Sequence, residues 1–307
     1  MQNNNTNTPM ICFGEILWDV LPDGPQPGGA PMNVAYHLSK LGIKTGIISS
    51  VGKDIKGEKL LNLLDCWGID RSLVQINSEQ NTSEVVAKTN NKTEVSYEIL
   101  FPVAWDFIKA EENVLAQTWH NQYLIYGSLA SRNELSMQTL LGLMDTPSIK
   151  VMDVNLRYPF VKHSILEKLM SHADIIKLND NELDKIQTIF NGTFGQEGDK
   201  VKFIQEKFDV PEILVTKGEF GGSYYKGNKA IHHFGSEVTV EDTIGSGDAF
   251  LAGFLANHMI QAPAKQMLRE AIAMGGFVAT KKGACADYSL QDYQNFKTEQ
   301  EEKYLIS

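Results

Sequence analysis

Cysteine is scarce: Cys12, Cys66 and Cys285 are the only three in 307 residues. They are scattered, odd in number and without Cys-x-x-Cys or Cys/His spacing, which argues against a disulfide framework or structural zinc and fits a reducing, cytoplasmic setting. As small apolar residues they suit a core. No apolar run approaches the roughly 20 residues of a transmembrane helix. Positive charge is also in deficit, with 28 Lys and Arg against 38 Asp and Glu, so the basic footprint expected for nucleic acid or an anionic membrane is missing. The run Met1 to Pro9 is rich in Asn and Thr; with no basic start and no apolar core it reads as a frayed tail, neither signal peptide nor anchor. What is present is a 42% hydrophobic chain, long enough to bury one large α/β core or two ordinary ones. A small-molecule partner is the expectation.

Short β-rich apolar runs alternate with helical patterns. Met10–Phe13, Thr45–Val51, Tyr123–Tyr126, Lys150–Val154, Asp174–Leu178 and Glu212–Thr216 read as strands. Helices are predicted to begin near Met32, Ile55, Asn133, Phe160, Asp180, Glu197, Gly247 and Pro263. This alternation predicts an α/β fold with a mainly parallel sheet flanked by helices on both faces. Two stretches interrupt it. Glu84 to Ile99 reads as a hairpin turning at Asn90-Asn91, with Val95, Tyr97 and Ile99 on one face, an inserted pair that predicts a small lid. Trp18 to Pro31 holds Pro22, Pro25, Pro27 and Pro31 around Gly24, Gly28 and Gly29, too many breakers for a regular element, and loops of this kind often shape a site.

The most informative segment runs from Asp242 through Thr243, Ile244, Gly245, Ser246, Gly247 and Asp248 into the apolar Ala249 to Phe254. A helix start with unpaired N–H donors and the positive dipole end can cradle a phosphoryl group, and Asp248 in the first turn can take a proton from an attacking hydroxyl. Taken alone, the segment is equally an ordinary helix start with a first-turn acid. It is not a P-loop, since no Lys-Ser/Thr follows the glycines, and it lacks the third glycine of a dinucleotide fingerprint. Gly28-Gly29-Ala30-Pro31-Met32-Asn33-Val34-Ala35 also leads from glycines into a helix, continuing through Leu38 and Leu41 to Gly42.

Together these two patterns resemble the two signatures of the ribokinase-like (PfkB) carbohydrate kinases: Gly28, Asn33, Ala35 and Gly42 through Gly52, then Asp242, Gly245, Ser246, Gly247, Asp248 and Gly253. Intermediate landmarks extend the resemblance over nearly the whole chain. It implies one kinase domain over residues 1–307, with a β lid formed by about residues 15–31 and 78–104. It further implies ATP, Mg²⁺ and in some members K⁺. By this resemblance Asp248 is the base, Gly245, Ser246 and Gly247 the anion hole, and Asp19, Gly28, Gly29 and Asn33 the sugar ligands.

The resemblance also gives Arg157, in Asp153-Val154-Asn155-Leu156-Arg157, to the phosphates. Asn179 and Glu182 of an Asn-x-x-Glu motif help to place Mg²⁺, largely through water, although the same pair suits a capping box. Lys217 and Gly218 would form the nucleotide-side turn; Lys217 reads equally as a solvated turn residue. Gly283, in the Ala279–Gly283 segment, would lie beside the adenine or a monovalent cation, to which Asp242 and Ile244 would also contribute. Tyr158 stands between Arg157 and Pro159 where fructokinase-like sequences commonly carry two prolines, which puts only the local loop shape in doubt.

The opening Gly14-Glu15-Ile16-Leu17-Trp18-Asp19 followed by Pro27-Gly28-Gly29-Ala30-Pro31 looks most like bacterial fructokinases. Fructose is therefore expected ahead of ribose, 2-keto-3-deoxygluconate or adenosine. No Lys or Arg lies between Asp19 and Asn33, which disfavours a sugar phosphate. Relatives dimerise through an exposed lid sheet, so a homodimer is expected. Two readings from other classes compete. A non-catalytic sugar-binding regulator would keep the fold without the chemistry. A nicotinamide-dependent oxidoreductase needs a glycine-rich turn directly after its first strand, and here that strand ends at Gly14-Glu15.

Overall fold

The computed structural model describes residues 9–21, 24–90, 94–235 and 237–306. The expected tail up to residue 8, Pro22 and Asn91 of the expected turn lie outside them, as do the side chains of Asn90, Val95 and Tyr97.

Strand β1 (Met10–Phe13) is buried at every position, so its alternating side chains face two different cores. Met10 and Cys12 join one, Ile11 and Phe13 the other. The second sheet begins with β2 (Leu17–Leu21) and β3 (Gly24–Gly28). Then come β4 (Thr45–Gly52), β5 (Val74–Asn77), β6 (Ser83–Asn90), β7 (Glu94–Ile99) and β8 (Tyr123–Gly127). The later strands are β9 (Ile149–Asp153), β10 (Ile175–Asn179), β11 (Glu212–Thr216), β12 (Gly222–Lys226) and β13 (Lys229–His233). Nine of them form one sheet in the order β13-β12-β11-β10-β9-β8-β1-β4-β5. It is parallel from β11 to β5, with β12 and β13 returning antiparallel.

Helices α1 (Ala30–Lys40), α2 (Ile55–Cys66), α8 (Ser246–Met259) and α9 (Ala264–Ala279) share a core over one face. The other face is covered by α4 (Glu134–Met144), α5 (His163–Met170), α6 (Asp180–Phe190) and α7 (Glu197–Phe208). The short α3 (Glu112–Thr118) and the terminal α10 (Leu290–Ile306) complete the helices. Helix starts carry their own punctuation: Asp54 accepts from the Gly57 N–H at 2.8 Å and Asn133 from that of Leu135 at 2.9 Å.

The breaker-rich stretch is more regular than its composition predicts. β2 and β3 pair as an antiparallel hairpin, and the second sheet runs β3-β2-β6-β7. Pro25 and Pro27 are two residues apart, so both missing N–H groups fall on the same side of β3. Because β3 is an edge strand, no ladder bond is lost there. The antiparallel β12–β13 hairpin and β5 are further strands that apolar periodicity did not single out.

β1 sits where the main sheet changes direction: the chain passes from it to β4 and β5 on one side, then to β8 through β13 on the other. In open α/β sheets the crevice at the carboxyl ends beside such a point is where ligands bind.

Candidate active site

Two helix starts meet in that crevice. α1 begins behind Gly29, and one turn in, Asn33 Nδ2 donates to Asp248 Oδ2 at 2.8 Å, in the first turn of α8. No side chain caps α8; the Ser246 N–H turns back to the Thr243 carbonyl at 3.2 Å, and the N–H groups of Gly247 and Asp248 remain available to an anion. Its N-cap, Gly245, is left-handed at φ 78°, and a β-carbon there would lie 2.6 Å from Ala284 Cβ. Only glycine allows both the conformation and the approach. Asp242 secures the same corner: its Oδ1 accepts from Ile244 N and its Oδ2 from Gly283 N, each at 3.0 Å.

Lys177 is the functional candidate that motif reading missed. Its ammonium lies 2.8 Å from Asp153 Oδ2, with the two side chains 8% and 5% exposed, and a β-carbon added at Gly247 would lie 2.9 Å from the same Nζ. Burial works against the charge, but Asp153, Asp248 and Glu182 outweigh it and hold the pKa above the usual lysine value. The available signal was a lysine inside the apolar strand Ile175-Ile176-Lys177-Leu178, since a charge there requires a buried partner. Asp153 Oδ1 and Ser246 Oγ are buried without a hydrogen-bond partner among the described residues, polar capacity facing the same corner.

Burial pushes Asp248 up to about 6, and Asp153 adds to this, while Lys177, the Asn33 hydrogen bond and Arg157 pull the other way. Asp19, on β2, is likewise raised by burial to about 6, with Arg157 opposing. A side chain at Gly28 would run into the Asp19 carboxylate, so that glycine makes room for it. Arg157 is exposed. Among the described residues it has no ion-pair partner, yet it acts on Asp19, Asp248 and Glu15. Glu15 is buried, and burial raises it to about 7.

Asn179 and Glu182 form the capping box of α6: Glu182 N donates to Asn179 Oδ1 at 2.8 Å, and Asn179 N to Glu182 Oε2 at 3.0 Å. Glu182 Oε1 also accepts from Leu156 N at 2.8 Å. Both oxygens are therefore committed to backbone, and any action on a cation would use their remaining lone pairs through water. Lys217 turns from the crevice to Glu197, 2.7 Å away. Gly218 follows β11 with φ 55°, and a cavity of about 780 Å³ reaches from it to Asn179, Ser246, Gly247 and Gly275. Glycine-lined walls suit a flat heterocycle, and the cavity opens onto the uncapped α8 start, where phosphates would lie. Among the described residues no cluster of three or more His, Cys, Asp or Glu could hold a metal. This donor set fits Mg²⁺ carried on phosphate oxygens and water. The structure thus brings Asp19, Gly28, Gly29, Asn33, Arg157 and the Gly245–Asp248 turn to one crevice, Asn179 and Gly218 to the adjoining cavity, and leaves the Lys217 side chain outside it.

Residues 24–290 match the profile described as pfkB family carbohydrate kinase. A fructokinase of Salmonella typhimurium is 28% identical over 300 residues, 91% of this chain and 95% of that protein. Fructokinase of Vibrio cholerae O395, solved with fructose, ADP and calcium ion, superposes with a TM-score of 0.81 at 22% identity, covering 94% and 99% of the two chains. Fructokinase of Xylella fastidiosa with bound ATP gives 0.83 at 22% identity, covering 96% and 99%. These superpositions place the α/β fold with its second small sheet among ribokinase-like structures.

Proposed function

Because this chain belongs to the pfkB family of carbohydrate kinases, we propose that it transfers the γ-phosphoryl group of ATP to a hydroxyl of fructose. The observation that carries the reading is the 2.8 Å bond between Asn33 and Asp248 at the uncapped start of α8. It sets a proton acceptor beside an anion hole. Asp19 and Asn33 hold the sugar hydroxyls, acceptor and bridging donor together. Asp248 takes the proton of the attacking hydroxyl as the hydroxyl oxygen bonds to the γ-phosphorus and the bond from that phosphorus to the bridging oxygen breaks, with ADP leaving. The N–H groups of the Gly245–Asp248 turn, with Lys177 and Arg157, receive the shifting negative charge, so positioning carries most of the catalysis.

Asn179 and Glu182 would hold the cation through water, and Gly218 with the glycine-lined cavity receives the nucleotide. Mg²⁺, when bound, supplies charge neutralisation across the phosphate oxygens. Asp242 and Ile244 would bound a monovalent cation such as K⁺ beside Gly283. The β3-β2-β6-β7 sheet acts as a lid that excludes water from the crevice and as the surface of a homodimer working in the cytoplasm.

Fructose is supported by the Salmonella typhimurium relative and by the absence of Lys and Arg between Asp19 and Asn33. The test is coupled ADP release with ATP, Mg²⁺ and K⁺ against fructose, ribose, mannose, glucose, 2-keto-3-deoxygluconate, adenosine and fructose phosphates. Selective turnover of fructose is expected. Turnover of another member moves the sugar and keeps the mechanism, whereas silence across the panel favours a sugar-binding regulator.

A further inference from the structure

The amide that touches Asp248 is itself held from its far side. Asn33 Nδ2 donates to Asp248 Oδ2 at 2.8 Å, while Asn33 Oδ1 accepts from Cys285 Sγ at 3.3 Å. Both contacts require the same amide orientation. A half-turn would set the Asn33 carbonyl against the carboxylate and its NH₂ against the thiol proton. Cys285 arrives on the loop between α9 and α10, and that loop is tied down at several points. Gly283 N donates to Asp242 Oδ2 at 3.0 Å, the Ala284 carbonyl lies 3.0 Å from Nε2 of the buried His37, and the Ala286 carbonyl accepts from Tyr36 OH at 2.7 Å. Burial, then Asp248 and Asp19, raise the thiol pKa well above its usual value, so the sulfur keeps its proton and acts as a donor rather than a nucleophile.

We infer that Cys285 is a positioning residue whose thiol locks the Asn33 amide with its nitrogen toward Asp248 and thereby sets the proton affinity of that carboxylate. The inference rests on the reading of Asp248 as the base. With the amide locked, Nδ2 favours the charged carboxylate, a stronger acceptor than the carbonyl of the protonated acid, and the amide cannot accept the acid O–H. Without the thiol donor, the amide is free to turn once Asp248 is protonated and to accept from the acid O–H. The neutral form then gains a hydrogen bond and the pKa rises.

The other groups acting on Asp248 sit on elements other than the Cys285 loop: Asp153 on β9, Lys177 on β10, Arg157 beyond β9, and Cys12 and Glu15 on and after β1. Asp19 on β2 faces the thiol itself, and His37 on α1 is engaged by Tyr288 and Ala284.

The experiment compares Cys285→Ala and Cys285→Val, which remove the donor while emptying or filling the space, with Cys285→Ser, which keeps a donor. The readouts are the pH profile of sugar kcat/KM and the carbon-13 titration of the Asp248 carboxyl, assigned by its loss in Asp248→Asn. The Ala and Val variants are expected to move the acid limb up by about 0.5 pH unit, a roughly threefold loss of kcat/KM on that limb that disappears about two units higher. The Ser variant restores the wild-type profile. Unmoved acid limbs in both Ala and Val, or a Ser variant displaced as far as Ala, overturn the proposal. Should no sugar turn over, the kinase reading fails by itself; the carbon-13 titration still decides, and an unchanged midpoint in Ala and Val overturns the amide lock.

Discussion

Asp248 sits between opposing influences at the residue scale. Burial and Asp153 favour its protonated form, whereas Lys177, Asn33 and Arg157 favour the carboxylate. Raised to about 6 from 3.8, it makes the folded protein bind more protons than the unfolded chain between those values. Its contribution to stability is therefore present below about pH 4 and lost as pH rises through about 6. Asp248→Asn should raise Tm at pH 7.5 and lose that advantage near pH 4, read by thermal melts across pH. The same variant should lower kcat by about 10² to 10⁴ while sugar and ATP affinities stay within a few fold; near-normal turnover would remove Asp248 from the role of base. Asp19→Ala is expected to raise the KM for sugar by roughly 10-fold or more, as loss of hydrogen bonds to a charged group would, with little change for ATP. Equal changes in both constants would undercut its place as a sugar ligand.

At the scale of elements, α8 matters most. Ala249 to Leu255 are all buried, so this stretch of the helix is apolar all round and packed on every side. Its start is held by the Gly245–Ala284 contact and the two Asp242 bonds. Gly245→Ala combines a left-handed backbone with a steric collision and should cost about 2–3 kcal/mol, seen as a lower Tm. Because the collision tilts the anion hole, kcat should fall by roughly tenfold or more, with a smaller change in sugar KM. A variant with wild-type Tm and kcat would show that the corner yields freely. The Trp18–Pro31 stretch teaches the converse: prolines that break a central strand are accommodated two residues apart on an edge.

For the whole molecule, the proposed homodimer would pair through the face of the β3-β2-β6-β7 sheet. The β3 edge carries prolines, which blunt edge-to-edge growth, so pairing through the face is expected. Light scattering at working concentration should report a dimer, and a monomer would contradict this. Much of the plan was legible beforehand. The β1, β4, β8 and β11 runs and the Asn179–Glu182 and Asp248 helix starts announce themselves locally, because strand period and capping chemistry act within a few residues. Lys177 did not, since its partner Asp153 lies 24 residues away on the neighbouring strand.

The sequence by itself determined the α/β class, the alternation of the central strands and helices, and the residue types able to bind a polyol and move a proton, since apolar periodicity, caps and glycine-rich turns are short-range properties. Only the tertiary structure decided which of those residues meet. It set Asn33 on Asp248 across 215 positions and Cys285 on Asn33 across 252, and it turned Lys217 away to Glu197. Such contacts depend on how strands are ordered and how helices pack on them, and no local pattern encodes that distance.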